Sequence, residues 1–113
     1  ALKKTRPEII FHLAAQPLVL ESYKRPLETF STNIIGTLNL LESIREIKSI
    51  KSVIIITTDK VYKINKKNNE YKELDELGGF DPYSSSKVGA EIIVDSYIKS
   101  FFKNTFLQKK YLQ

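Results

Sequence analysis

Apolar residues fall along this chain in two dense runs and two periodic stretches. Residues 8–13, Glu-Ile-Ile-Phe-His-Leu, make the first run, with Pro7 before it and Ala14 and Ala15 after. Residues 52–57, Ser-Val-Ile-Ile-Ile-Thr, make the second and are rich in β-branched side chains, which suit a pleated sheet. Neither run alternates with polar residues. Short unbroken runs of this kind predict strands covered on both faces, as in a parallel sheet flanked by helices.

Between the runs, residues 26–47 predict a helix. Pro26 suits a first turn, and Leu27, Phe30, Ile34, Leu38, Leu41 and Ile44 recur at spacings of three and four. Ile35 and Leu40 widen that stripe. A helix apolar over more than one face is expected to meet the sheet on one side and a partner on the other. Gly36 inside it costs about 1 kcal/mol relative to Ala, so its presence predicts a close approach of another backbone. Residues 59–80 are polar, rich in Lys and Asn, and end in Gly78-Gly79; they predict a long loop, a kind that is usually functional or disordered. Residues 82–102 predict a second helix, capped by Asp81 and started by Pro82, with Val88, Ile92, Val94, Tyr97, Ile98, Phe101 and Phe102 as its apolar positions. The order strand, helix, strand, helix is an α/β unit of the βαβα kind. The tail Lys103–Gln113 shows no strand pattern, and the organisation expected is one domain over 1–102 followed by a divergent tail, 103–113.

Composition narrows the class. At 113 residues the chain is one small domain. Its 42% hydrophobic and 27% charged content is that of a soluble globular protein. No apolar run approaches the roughly 18 residues of a membrane span. Ala1-Leu2-Lys3-Lys4 leads to Arg6-Pro7-Glu8 without an apolar stretch, so no secretory signal is expected. Cys is absent and there is one His, which excludes a disulfide framework or a Cys/His zinc site. These features fit a cytoplasmic protein. The net charge of +5 gathers in Lys-rich stretches such as Lys63-Ile64-Asn65-Lys66-Lys67, which lack interleaved aromatics. That favours a solvated loop over a nucleic-acid surface.

Candidate chemistry then appears in three places. Tyr83 and Lys87 stand one helical turn apart, on one face of the second helix. A cation at that distance favours the phenolate, so Lys87 is expected to draw the Tyr83 phenol down from about 10 and make it a general base. The spacing alone also describes an ordinary buried Tyr beside a solvated Lys. Thr57-Thr58-Asp59-Lys60 closes the second strand with hydroxyls, a carboxyl and an amine; taken alone it is equally a turn. His12-Leu13-Ala14-Ala15-Gln16 closes the first strand, where small residues let a flat ligand approach the backbone; His12 itself is read as a packed strand residue. Ligands in open α/β sheets bind at the carboxyl ends of strands. The second helix starts at the edge where the second strand ends, so all three clusters are expected to meet in one crevice.

With His12-Leu-Ala-Ala-Gln-Pro17, Ser22-Tyr23, Thr29-Phe30, Thr32-Asn33, Gly36-Thr37, Asn39-Leu-Leu-Glu42, Thr58-Asp59-Lys60, Tyr62, and Leu77-Gly78-Gly79 followed by Asp81-Pro-Tyr-Ser-Ser-Ser-Lys87, the chain resembles the extended short-chain dehydrogenase/reductases. Within them it resembles the nucleotide-sugar 4,6-dehydratases, over residues 5–102. Lys60 after Asp59, together with Leu77-Gly-Gly-x-Asp-Pro-Tyr-Ser-Ser-Ser-Lys87, is similar to the branch that acts on CDP-glucose.

The resemblance implies a partial Rossmann-like doubly wound parallel sheet, with NAD as cofactor and a nucleotide sugar as substrate. It implies a redox-neutral dehydration to a 4-keto-6-deoxy sugar. Tyr83, helped by Lys87, takes the proton of the sugar 4-hydroxyl. Thr58 bonds the sugar near O4, Lys60 takes the C5 proton, and Asp59 protonates the departing 6-hydroxyl. Ala14, Ala15 and Gln16 line the cofactor side, where Tyr83 and Lys87 also act, and Asn33 supports the site from its helix. Helices 26–47 and 82–102 match the pair through which the family forms homodimers.

The Gly-rich turn that seats a pyrophosphate and the family's C-terminal substrate domain are not in this sequence. Lys66-Lys67-Asn68-Asn69 stands where aromatic residues precede the position of Tyr71. The expectation is therefore an internal section, inactive alone. An epimerase, another dehydratase, and a non-catalytic remnant that binds a full-length paralogue remain as alternative readings.

Overall fold

A computed structural model describes residues 1–58, 61–63 and 76–102, and the backbone of 106–112. Helix α1 (Leu2–Thr5) precedes strand β1 (Ile9–His12), followed by the short helices α2 (Val19–Lys24) and α3 (Pro26–Phe30). A π-helical turn, Ser31–Ile35, joins α3 to α4 (Gly36–Arg45). Strand β2 (Ser52–Thr58), helix α5 (Pro82–Phe101) and strand β3 (Phe106–Leu112) complete the order. The three strands form one parallel sheet in the order β1-β2-β3. This is the α/β arrangement expected from the two apolar runs.

Strand β3 corrects the sequence reading, which found no strand pattern after residue 102. It pairs with β2 from Ser52 against Phe106 to Thr58 against Leu112. That pairing is long-range, so it leaves little trace in the local pattern: the open edge of β2 supplies hydrogen bonds that the tail alone does not advertise.

Leu41, Ile44, Ile50, Val53, Ile55, Val94 and Phe102 form the core, between β2 and the helices α4 and α5. Burial alternates along β2 as the period of a strand requires, with Val53, Ile55 and Thr57 buried. The other expectation for the strands, cover on both faces, fails at β1. Ile9 and Phe11 are 55% and 62% exposed, because α4 and α5 cover one face of the sheet.

The long helix is present but turned differently from the apolar stripe. Thr29, Asn33, Thr37, Leu41 and Ile44 are the buried positions, whereas Leu27 is 83% exposed and Phe30 and Ile35 also face outward. Its first half is thus packed through polar side chains. Gly36 has nothing within 4 Å of where a Cβ would stand, so the close approach expected there is not made. Gly89 is tight instead, against a side chain rather than a backbone: a Cβ would lie 2.6 Å from Ile34 Cδ1, where the π-helical turn meets α5.

In the stretch read as a loop, Tyr62 and Leu77 form an antiparallel bridge, with Lys63 N–H bonding Glu76 O and Gly78 N–H bonding Val61 O, each at 2.7 Å. Asp59, Lys60 and residues 64–75 lie outside the described residues. No helix among the described residues is long and apolar enough to cross a membrane.

Candidate functional site

Helix α5 begins as its sequence predicts. Asp81 accepts from Ser84 N–H at 3.0 Å and from Ser84 Oγ at 2.7 Å, and Pro82 occupies the first turn. The approach is tight. A Cβ on Gly79 would stand 2.5 Å from Ser84 C and 2.8 Å from Ser84 O, and Ser85 Oγ donates to Gly79 O at 3.0 Å. Only glycine lets the preceding chain lie this close to the helix, which sets the direction from which Tyr83 enters.

Tyr83 and Lys87 are both buried on α5, and Thr57 and Thr58 are buried at the end of β2. Lys87 Nζ donates to Ile56 O at 3.3 Å, which fastens α5 across the carboxyl end of β2. Burial pushes the Lys87 ammonium below its usual value, and Glu91, one turn along, opposes that shift. Glu91 is itself 3% exposed. The helix therefore holds a desolvated cation with a carboxylate behind it. Thr57 Oγ1 is buried and has no hydrogen-bond partner among the described residues, an arrangement that ordinarily costs about 1–3 kcal/mol.

His12, at the end of β1, is fixed by Thr37. Thr37 Oγ1 donates to Asn33 O at 2.8 Å, which spends its proton, so His12 Nε2 is the donor in the 3.2 Å contact with that hydroxyl. Burial, and then the charge of Lys87, hold the imidazole below 6.5. His12 is a packed strand residue, neutral near pH 7.

Beyond it, Ala14 is exposed while Ala15 and Gln16 are half-buried, which leaves the backbone of this loop approachable. Gln16 turns its side chain away, with Nε2 donating to Thr29 Oγ1 at 2.9 Å and to Leu18 O at 3.1 Å, and Oε1 accepting from Leu18 N–H at 2.7 Å. Asn33 is 1% exposed and spends its amide on Gln16 and Ser86. It stands behind the loop as support, holding the backbone N–H and O of Gln16. Apolar periodicity does not reveal the polar stripe Thr29-Asn33-Thr37 or Ser86, although the family resemblance points to Asn33. Their signal was the four-residue spacing of small polar side chains.

The structure thus brings Thr58, Tyr83, Lys87 and the loop 14–16 to one end of the sheet. Asp59 and Lys60 follow Thr58 outside the described residues. Among the described residues no cluster of His, Asp or Glu is fit to hold a metal ion.

Residues 1–107 match the model of the family described as GDP-mannose 4,6 dehydratase. CDP-glucose 4,6-dehydratase of Salmonella typhimurium is 46% identical over 102 residues, which is 90% of this chain and 28% of that protein. UDP-glucose 4-epimerase of Mycoplasma genitalium is 49% identical over 39 residues, 34% of this chain and 12% of that protein. Among solved structures, UDP-glucose 4-epimerase of Thermotoga maritima with UDP-glucose aligns with a TM-score of 0.84 at 30% identity, over 99% of this chain and 35% of that one. A double mutant of DesIV, the dTDP-glucose 4,6-dehydratase of Streptomyces venezuelae, with NAD and DAU bound, has a TM-score of 0.83 at 23% identity over 92% of this chain and 31% of that one; that likeness concerns the fold. The chain spans about a third or less of the length of each of these relatives.

Proposed function

The chain belongs to the GDP-mannose 4,6-dehydratase family of extended short-chain dehydrogenase/reductases, and from that premise we propose that it is the active-site section of a nucleotide-sugar 4,6-dehydratase acting on CDP-glucose with NAD. The observation that carries the reading is Tyr83 and Lys87 buried side by side on α5, with Lys87 bonded to Ile56 O at the end of β2, next to Thr58. The identity to the Salmonella CDP-glucose enzyme over 90% of the chain supports the choice of sugar nucleotide.

The residues present fit the cofactor. Ala14 and Ala15 leave the loop backbone open, and the Thr57 hydroxyl, unpartnered among the described residues, lies at the end of the adjacent strand. NAD, when bound, accepts and later returns the hydride that makes the reaction redox-neutral. Tyr83 removes the 4-hydroxyl proton of the sugar. Lys87, a desolvated cation, lowers the cost of the phenolate. Thr58 orients the sugar at O4. Lys60 takes the C5 proton, made acidic by the 4-ketone, and Asp59 protonates the 6-hydroxyl as it leaves. Two copies pair through the outward apolar side chains of helices 26–47 and 82–102, among them Leu27, Phe30 and Ile92.

The test is a chimera in which residues 5–102 replace the corresponding segment of the Salmonella enzyme. Formation of the 4-keto-6-deoxy product from CDP-glucose, with solvent deuterium entering at C5, is expected. Asp59→Asn should abolish it. A folded chimera that binds NAD but only inverts C4, or that is indifferent to Asp59→Asn, overturns the proposal in favour of an epimerase.

A further inference from the structure

Ser86 has no exposed surface and sits where α5 meets the π-helical turn. Its hydroxyl donates to Tyr83 O at 2.6 Å, which spends its only proton. Asn33 Nδ2 donates to the same hydroxyl at 2.8 Å. Asn33 then grips the backbone of Gln16 at both ends, with Nδ2 donating to Gln16 O at 3.2 Å and Oδ1 accepting Gln16 N–H at 2.8 Å. The amide has one workable orientation. Turned over, its oxygen would face two acceptors and its nitrogen would face a donor.

The series continues beyond Gln16. Its side chain holds Leu18 and Thr29, and Thr29 Oγ1 donates to Arg25 O at 2.9 Å. Hydrogen bonds thus run unbroken from the loop after β1, through Asn33 and Ser86, to the backbone of Tyr83.

A helical serine often satisfies itself on a carbonyl one turn back, and that alone would explain the bond to Tyr83 O. The neighbours of Ser86 argue for more. Ser84 and Ser85 spend their hydroxyls on Asp81 and Gly79, in the segment leading into the same helix. Of the three serines before Lys87, Ser86 reaches another helix. Gly89, against which Ile34 lies, marks how closely the π-helical turn packs on α5.

We infer that Ser86 is a positioning residue that couples the loop of residues 14–18 to the turn of α5 carrying Tyr83, so that the two sides of the site keep one register. The inference rests on the proposed function for the role of Tyr83, while the coupling itself is measurable without any ligand.

The experiment is NMR on the 113-residue chain labelled at nitrogen and at the tyrosine ring carbons, comparing Ser86→Ala, Ser86→Cys and Ser85→Ala. Ser86→Ala should shift the Gln16 amide and the Asn33 side-chain amide and speed exchange of the latter. It should also move the midpoint of the Tyr83 ring titration. Ser86→Cys, a weak donor of similar size, should give intermediate shifts, and it decides the matter if the alanine variant does not fold. Ser85→Ala, in the same turn, should leave the Gln16 and Asn33 signals in place. Shifts at Gln16 and Asn33 no larger in Ser86→Ala than in Ser85→Ala overturn the coupling. So does an unsubstituted chain in which the Asn33 side-chain amide exchanges freely. Adding NAD separates the two claims: a ligand that moves no resonance counts against the proposed function, whereas the coupling stands or falls on the ligand-free spectra alone.

Discussion

Replacing Asn33 with Ala removes three hydrogen bonds from a side chain that is 1% exposed. At about 1 kcal/mol net for each bond, the loss is about 3 kcal/mol. Gln16 is half-buried, so water can reach part of what is freed there, whereas the Ser86 oxygen stays dry. Alanine is the better helix former by about 0.5 kcal/mol, which offsets a little. The net cost is about 2–3 kcal/mol, a large share of the roughly 5–15 kcal/mol that holds a small domain together. Urea unfolding followed by far-UV circular dichroism reads this as a midpoint lowered by about 0.7–3 M, for a slope near 1–3 kcal/mol per M. Asn39→Ala is the control. Asn39 is exposed on the same helix, and the substitution should raise the midpoint slightly. If the two variants unfold at the same urea concentration, the hydrogen-bonded role assigned to Asn33 is wrong.

Other consequences follow from the same structure. Gly36→Ala should stabilise by about 1 kcal/mol, because open space surrounds that position; Gly89→Ala should cost little, since Ile34 Cδ1 is a flexible tip; Gly79→Ala should prevent the native approach to α5, since it would meet backbone atoms of Ser84 and Ser85. Thermal melts that rank the three otherwise would contradict the packing described. Asp81→Ala should cost about 1 kcal/mol as a lost N-cap. Burial raises the Asp81 carboxyl, but its bonds to the Ser84 hydroxyl and to backbone N–H groups lower it further, to a net value below 3.8. Its contribution is therefore complete above the unfolded value and is lost as pH falls through the folded one, so the difference between wild type and variant should shrink in acid. His12 is the sole histidine, and its ring proton signals should titrate below 6.5, because burial and then Lys87 disfavour the imidazolium. Stability linked to it is complete above 6.5 and is lost as pH falls through the lower folded value. A midpoint at or above 6.5 would show that the imidazole is not held as described.

The sequence made the strands β1 and β2 and both long helices legible, because each is an apolar run or a periodic stretch of sufficient length. The convergence of Tyr83, Lys87 and Thr58 at one end of the sheet was legible too, since all three sit near element ends that the βαβα order brings together. What it concealed has physical causes. Thr29, Asn33 and Thr37 bury the first half of the helix through hydrogen bonds, where a hydrophobic pattern points instead to Leu27 and Phe30, which are exposed; it holds in the second half, at Leu41 and Ile44. Strand β3 depends on a parallel partner far away in sequence. Gly36 and Gly89 are indistinguishable as letters, and only the packing of Ile34 assigns the close contact to the second.

An NMR titration of the chain with NAD asks most directly whether these residues form one nucleotide-sugar dehydratase site. Amide shifts concentrated at Ala14, Ala15, Gln16, Thr58, Tyr83 and Lys87 are the result this account predicts. Shifts confined to the surface lysines, or none at all in a folded chain, would contradict it.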